Sequence, residues 1–148
     1  IEIMRLLAPE GPVYQAGTLS GNPVAVSAGI VTLNVLKKDN PYPDLEKRAK
    51  EFCGGIGEKA KDLKIKLRIN HIGSIFSLFF TDKEVLNFNL AKTQDLRLFK
   101  KFFHGLLKNG VYFSPSGFEA NFLSSAHGAE DLDKTLEFIG AVLKDLRR

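Results

Sequence analysis

The sequence has no tryptophan and only one cysteine, Cys53. A single cysteine excludes a disulfide within the chain and is compatible with a reducing compartment. Two glycines follow it and offer neither a base nor a metal partner, so a buried, unreactive thiol is predicted. No run of 18 apolar residues is present, and no transmembrane helix is expected. No secretory signal pattern opens the chain, and its start at Ile1 rather than methionine indicates a processed product or a fragment.

Several common site motifs are also missing. The sequence contains no HExxH or CxxC metal pattern, no GxGxxG dinucleotide loop and no Walker phosphate loop. Its three histidines, His71, His104 and His127, lack metal-ligand spacing and are interpreted as structural or surface residues. The net charge is +4, but acidic residues are interleaved with the lysines, so no basic stripe indicates nucleic-acid binding.

What is present is enough apolar sequence for a folded core, since 44% of the 148 residues are hydrophobic. A first helix is predicted after Asn22-Pro23, because asparagine is a good N-cap and proline fits the first helical position. This helix should reach Lys38 and is apolar on most faces, which is typical of a helix packed between layers or between subunits. A second helix is predicted over 44–63 from apolar residues spaced by three and four.

Alternating apolar residues predict strands over 65–70 and 75–80. The polar stretch 82–92 is predicted as a loop, after which Thr93 should cap a third helix that ends at Asn109.

The C-terminal part completes the pattern. Gly110 suits the position after a helix end. Short strands are predicted over 111–113 and around 122–124, and a last helix over 129–146 with an acidic first turn. The order of elements predicts an α+β unit with a small, largely antiparallel sheet and helices on one face. The first long helix is interpreted as an interface element outside that unit.

The loop from Gly17 to Asn22 is the first candidate for chemistry. It has two glycines, the hydroxyls of Thr18 and Ser20, and a helix start directly after it. Backbone N–H groups, hydroxyls and the positive end of a helix are what proteins use to bind phosphate. A loop that only caps a helix has the same composition, so both interpretations stay open on the residues alone.

The second candidate is Glu119, which stands between Phe118 and Phe122 in the stretch that begins at Ser114. A carboxylate in this position is either a solvated turn residue or a partly desolvated group able to act in acid–base or gating chemistry. The spacing alone does not decide between them.

Several stretches together resemble the glutamate-1-semialdehyde 2,1-aminomutases, which are class III aminotransferases. The most specific is Ala8–Pro23, APEGPVYQAGTLSGNP. The others are Gly73–Phe76 with Phe79–Asp82, Phe102–Leu107 with Gly110–Tyr112, Pro115–Ala120, and Ser124–His127 before an acidic helix start. The family more often has methionine at position 75, glutamine at 117 and threonine at 128. The resemblance covers essentially the whole chain.

The resemblance implies the C-terminal part of a fold-type-I enzyme dependent on pyridoxal 5'-phosphate. The full enzyme would be α/β, with residues 1–40 ending its large cofactor-binding domain and residues 41–148 forming its C-terminal small domain. The implied reaction starts from pyridoxamine 5'-phosphate and converts glutamate 1-semialdehyde to 5-aminolevulinate, a tetrapyrrole precursor. The catalytic lysine would lie upstream of Ile1, so this chain alone is expected to be inactive.

The resemblance also assigns roles to single residues. Gly17 and Thr18 match residues that contact the cofactor phosphate of the partner subunit, and Glu119 matches a carboxylate at the active-site entrance. Ser20 and Asn22 are interpreted as loop and helix-cap residues rather than ligands. The implied protein is a cytoplasmic homodimer with a shared active site, with glutamyl-tRNA reductase as a candidate partner and with no nucleic-acid or membrane partner.

Two other interpretations remain beside it. An ordinary class III aminotransferase would need an external keto acid, whereas a mutase keeps the nitrogen on its substrate. A non-catalytic dimerisation module belongs to a different class of protein. The start at Ile1 argues against such a natural stand-alone module.

Overall fold

A computed structural model describes residues 1–147 of the chain. These residues divide into two compact units, one over Ile1–Asn40 and one that begins at Pro41. The helices are α1 Pro23–Asp39, α2 Tyr42–Asp62, α3 Phe88–Ala91, α4 Leu96–Lys108 and α5 Ala129–Leu146. The strands are β1 Arg68–Ile72, β2 Ile75–Phe79 and β3 Asn121–Phe122.

The first unit consists of a 3-10 turn at Met4–Leu6, loops and α1. The predicted cap is confirmed, since Asn22 Oδ1 accepts hydrogen bonds from the N–H groups of Val24 and Ala25 at 3.1 and 3.2 Å. The helix ends at Asn40, which adopts a left-handed conformation with φ 40°. No residue of this unit is fully buried, although α1 carries many large apolar side chains. The unit therefore has no apolar core of its own among the residues described.

The second unit has the α+β architecture that the sequence predicted. Its sheet is antiparallel in the order β1-β2-β3, with Ile69 opposite Leu78 and Ile75 opposite Phe122. One face of β2 buries Phe76 and Leu78 in the main core, together with side chains of α2, α4 and α5. The core side chains that those helices supply include Phe52, Ile56, Phe99, Phe102, Leu106, Ile139 and Leu143. Successive side chains of a strand point to opposite faces of the sheet, so Phe76 and Leu78 share one face. The three helices cover that face.

Several predicted elements differ from the structure. The segment 82–92 is not only loop, since it contains α3, which begins where Asn87 Oδ1 accepts from the Leu90 N–H at 3.1 Å. Val85 and Ala91 of this segment bury Phe79, which points to the face opposite Phe76 and Leu78.

The prediction that Thr93 caps the next helix is wrong. The Thr93 hydroxyl donates backwards to the Leu90 carbonyl at 2.8 Å. Asp95 is the cap, and its carboxylate accepts from the N–H groups of Arg97 and Leu98. A carboxylate satisfies these donors and also interacts favourably with the positive helix end. The hydrogen bond from the Leu98 N–H is the main cause that lowers the pKa of Asp95.

The strand predictions need three corrections. No strand forms over 111–113, and the Val111 N–H donates back to the Leu106 carbonyl of α4 at 3.0 Å. The strand expected over 65–70 begins only at Arg68, which pairs with Phe79 at the end of β2. The strand expected around 122–124 is shorter and lies at Asn121–Phe122. By contrast, α5 has the predicted bounds, and α2 begins two residues earlier than predicted, at Tyr42.

Cys53 lies in the core of the second unit and is 5% exposed. Burial raises the pKa of its thiol to about 11 from an ordinary value of 9.0. The thiolate is the form that reacts with alkylating reagents, so at pH 8 we expect Cys53 to react with iodoacetamide about 100-fold more slowly than a free thiol. Mass spectrometry of timed samples measures this, and the urea-unfolded chain is the control. Equal rates in the folded and unfolded chain would contradict the burial.

Candidate functional site

The loop before α1 folds as two consecutive turns. Ser20 donates its N–H to the Gly17 carbonyl at 2.9 Å, and Asn22 donates to the Leu19 carbonyl at 3.0 Å. Gly21 has φ 73°, a conformation that side chains disfavour, so glycine is required at this turn. At Gly17 an added Cβ would lie 2.2 Å from the Ser20 hydroxyl oxygen, so the loop closes tightly on itself there.

The hydrogen-bond donors at the start of α1 are occupied, whereas several donors of the loop before it are not. At the start of α1, Pro23 has no N–H, Asn22 Oδ1 binds the next two N–H groups, and Val26 donates to the Asn22 carbonyl at 2.9 Å. Within residues 1–147, the loop donors without a hydrogen-bond partner are the N–H groups of Gly17, Thr18, Leu19 and Gly21 and the hydroxyls of Thr18 and Ser20. An anion at this loop would therefore bind the loop donors, because the N–H groups at the helix start are already satisfied.

Glu119 lies in the second unit, on the turn that leads into β3, and its side chain is exposed. Its carboxylate oxygen Oε2 accepts a hydrogen bond from the Ser114 hydroxyl. Its N–H donates to the Ser116 carbonyl at 3.2 Å, and its own carbonyl accepts from the Ser77 hydroxyl at 3.3 Å. Of the two interpretations left open by the sequence, this geometry is that of a solvated turn residue, held by hydrogen bonds at its backbone and its carboxylate.

Comparison with known proteins identifies the relationship. No family model matches the chain. The glutamate-1-semialdehyde 2,1-aminomutase of Persephonella marina is 52% identical over 135 residues, which cover 91% of this chain and 32% of that protein. The same enzyme of Thermus thermophilus is 50% identical over 144 residues, 96% of this chain and 34% of that protein. The chain belongs to the glutamate-1-semialdehyde 2,1-aminomutase family. It spans about one third of the length of the curated relatives it matches.

Solved structures agree with the fold expected for this family. An omega-transaminase from Sphaerobacter thermophilus matches 99% of this chain and 34% of its own, with a TM-score of 0.78 and 20% identity. A beta-phenylalanine aminotransferase from Variovorax paradoxus matches 95% of this chain and 32% of its own, with a TM-score of 0.77 and 25% identity. The chain thus shares its α+β architecture with the corresponding part of these transaminases.

The three histidines are interpreted from the sequence as structural or surface residues. Within residues 1–147, no group of three metal-ligating side chains could hold a metal ion. His127 accepts the Ser124 N–H on Nδ1 at 3.0 Å, just before α5. Its backbone carbonyl accepts from Arg48 of α2 at 3.1 Å. These bonds give His127 a structural role, which links the start of α5 to α2.

Among the helices of residues 1–147, none combines the length and the apolar character that a membrane span needs.

Three residues around Glu119 were not singled out in the sequence. Ser77 of β2 and Gln94, which precedes α4, reach the Glu119 turn from 42 and 23 residues away. Ser114 is only five residues from Glu119, but a serine before a proline reads simply as a turn. No local signal points to the two distant residues, because the contacts exist only once the sheet and α4 have assembled.

Proposed function

We propose that this chain is part of a pyridoxal-phosphate-dependent aminomutase that converts glutamate 1-semialdehyde to 5-aminolevulinate in tetrapyrrole biosynthesis. The observation that carries the proposal is about 50% identity to curated aminomutases over more than nine tenths of the chain. In the intact protein, residues 1–40 end the large cofactor-binding domain and residues 41–148 form the small domain. The division of the structure into two units after Asn40 supports this organisation.

The donor set of the loop fits the phosphate of the cofactor. The unpartnered donors there include the N–H groups of Gly17 and Thr18 and the Thr18 hydroxyl, and a phosphate oxyanion accepts several short hydrogen bonds of this kind. When bound, the cofactor supplies the amino-group transfer. The chain's own part is to orient and hydrogen-bond the phosphate with Gly17 and Thr18. The lysine that would move protons belongs to the roughly two thirds of the family's length that this chain does not span.

Glu119 is proposed to act at the substrate entrance of the same enzyme. A carboxylate held on an exposed turn can hydrogen-bond a polar substrate or a polar group that closes over it. The proposal does not require Glu119 to be buried in this chain. It requires a defined carboxylate orientation, which the bond from Ser114 supports.

The proposed phosphate contact requires a homodimer, in which the loop of one subunit binds the cofactor phosphate in the active site of the other. The apolar side chains of α1 support a subunit contact, because Val24, Ile30, Val31 and Leu33 are all more than half exposed in this chain. A cytoplasmic location and glutamyl-tRNA reductase as a protein partner complete the proposal.

The first test is a product assay on the full-length protein, supplied with glutamate 1-semialdehyde and no keto acid or other amino donor. Sustained formation of 5-aminolevulinate is expected, because a mutase recovers the amino group within each turnover. The second candidate is an ordinary class III aminotransferase, favoured by the structural likeness to transaminases. That candidate predicts no turnover until a keto acid or an amine is added.

Thr18→Val tests the phosphate contact in the full-length enzyme. Valine keeps the shape of threonine but loses the hydroxyl. A hydrogen bond to a charged group contributes about 1.5–3 kcal/mol, so cofactor affinity should fall about 10- to 150-fold. Spectroscopic titration of the apo-enzyme with pyridoxal 5'-phosphate measures this. Thr18→Ser keeps the hydroxyl and should remain close to the unmodified enzyme; unchanged affinity in Thr18→Val would exclude the contact.

A further inference from the structure

The turn that carries Glu119 is fixed at several points. Gln94 is 6% exposed and donates its amide to the Gly117 carbonyl at 2.8 Å. The Phe118 N–H donates to the Ser116 hydroxyl at 3.2 Å, and Ser77 binds the Glu119 carbonyl. Position 117 is closely packed, since an added Cβ would lie 3.2 Å from Gln94 Oε1 and from the Phe99 ring. The backbone on which Glu119 stands is therefore held by β2 and by the residues around the start of α4.

Ser114 is fixed independently of that turn. Its N–H donates to Asn121 Oδ1 at 2.8 Å, and Asn121 belongs to β3, where it pairs with Phe76. Pro115 follows and restricts the backbone of the preceding residue to extended conformations. The Ser114 hydroxyl thus stands at a defined place beside the Glu119 carboxylate, to which it donates a hydrogen bond.

We infer that Ser114 is a positioning residue, whose hydroxyl holds the Glu119 carboxylate in one orientation with Oε1 directed to other partners. Among residues 1–147, the carboxylate has no other hydrogen bond and no salt bridge. Its neighbours therefore do not otherwise restrict its rotation. An exposed hydrogen bond of this kind adds little to stability, since water competes for both groups. The hydrogen bond therefore sets the orientation of the carboxylate and contributes little to the stability of the fold.

This inference rests on the proposed function, because it gives Glu119 a substrate-side role. In the full-length enzyme, Ser114→Ala should lower kcat/KM about 3- to 10-fold with unchanged cofactor loading and unchanged Tm. Ser114→Thr restores a hydroxyl and should recover most of the loss. Ser116→Ala is the control for general loosening of the turn, because its hydroxyl accepts the Phe118 N–H but does not contact the carboxylate.

A double-mutant cycle with Glu119→Gln separates positioning from a general effect on the turn. If Ser114 acts through the carboxylate, Ser114→Ala should have little further effect in the Glu119→Gln background. An equal loss in both backgrounds would overturn the inference, as would a loss in Ser116→Ala as large as that in Ser114→Ala. The activity of the unmodified enzyme without a keto acid tests the proposed function separately.

Crystal structures of the full-length enzyme and of Ser114→Ala provide a readout that does not depend on which reaction is catalysed. Glu119 should occupy a single conformer in the unmodified enzyme and several conformers in the variant. One identical conformer in both would show that Ser114 does not set the orientation.

Discussion

Replacing Phe102 by alanine is expected to destabilise the second unit by about 3–5 kcal/mol, the range for deletion of a fully buried phenylalanine. Phe102 is 1% exposed and lies on α4, in the core shared with β2 and α5. Its ring packs edge-on against Phe80 and Phe113, with centroid distances of 5.4 and 6.1 Å. The substitution removes both aromatic contacts and leaves a cavity, which the surrounding helices can close only in part.

Urea unfolding followed by circular dichroism measures this change, and it should appear as a lower midpoint. Phe122→Ala is the matched control, because the same side chain is 64% exposed on β3 and its deletion opens no cavity. A loss below about 1 kcal/mol for Phe102→Ala, or equal losses for both variants, would show that the ring is not buried as described.

Two glycine-to-alanine substitutions are expected to change stability in opposite directions. Gly105 lies in α4, where an added Cβ would be 2.7 Å from a methyl group of Val142 in α5. That distance is too short for two carbon atoms, so α4 and α5 must shift. The free energy of unfolding should fall by about 1–3 kcal/mol. Gly54 lies in α2 and faces open space, so Gly54→Ala should gain up to about 1 kcal/mol from helix propensity alone.

Each variant is the control for the other, because both replace a helical glycine by alanine and so have the same intrinsic effect on helix stability. Only the environment of the added methyl group differs. The urea midpoint of Gly54→Ala should therefore lie above that of the unmodified chain, and the midpoint of Gly105→Ala below it. A stabilising Gly105→Ala would mean that α4 and α5 lie farther apart than the structure has them.

Where the sequence predicted the fold correctly, the signal was local. The bounds of α5 follow from an acidic first turn and a regular apolar stripe, and the cap of α1 follows from Asn22-Pro23. Where it failed, two local signals competed. Thr93 and Asp95 are both acceptable caps, and the choice of Asp95 depended on α3 ending just before Thr93. The apolar stretch 111–113 looks like a strand, but it pairs with no strand in residues 1–147.

The sequence by itself determined the family, the cap of α1 and the glycine-containing loop before it, and the turn stretch in which Glu119 stands. These features depend on short stretches whose residues act within a few positions of one another. Only the tertiary structure decided how the Glu119 turn is held, because Ser77 and Gln94 come from β2 and from the residue before the cap of α4. It also decided that the N–H groups at the start of α1 are occupied, since the Asn22 side chain binds two of them. Contacts between distant segments follow from packing, and packing cannot be read from local spacing.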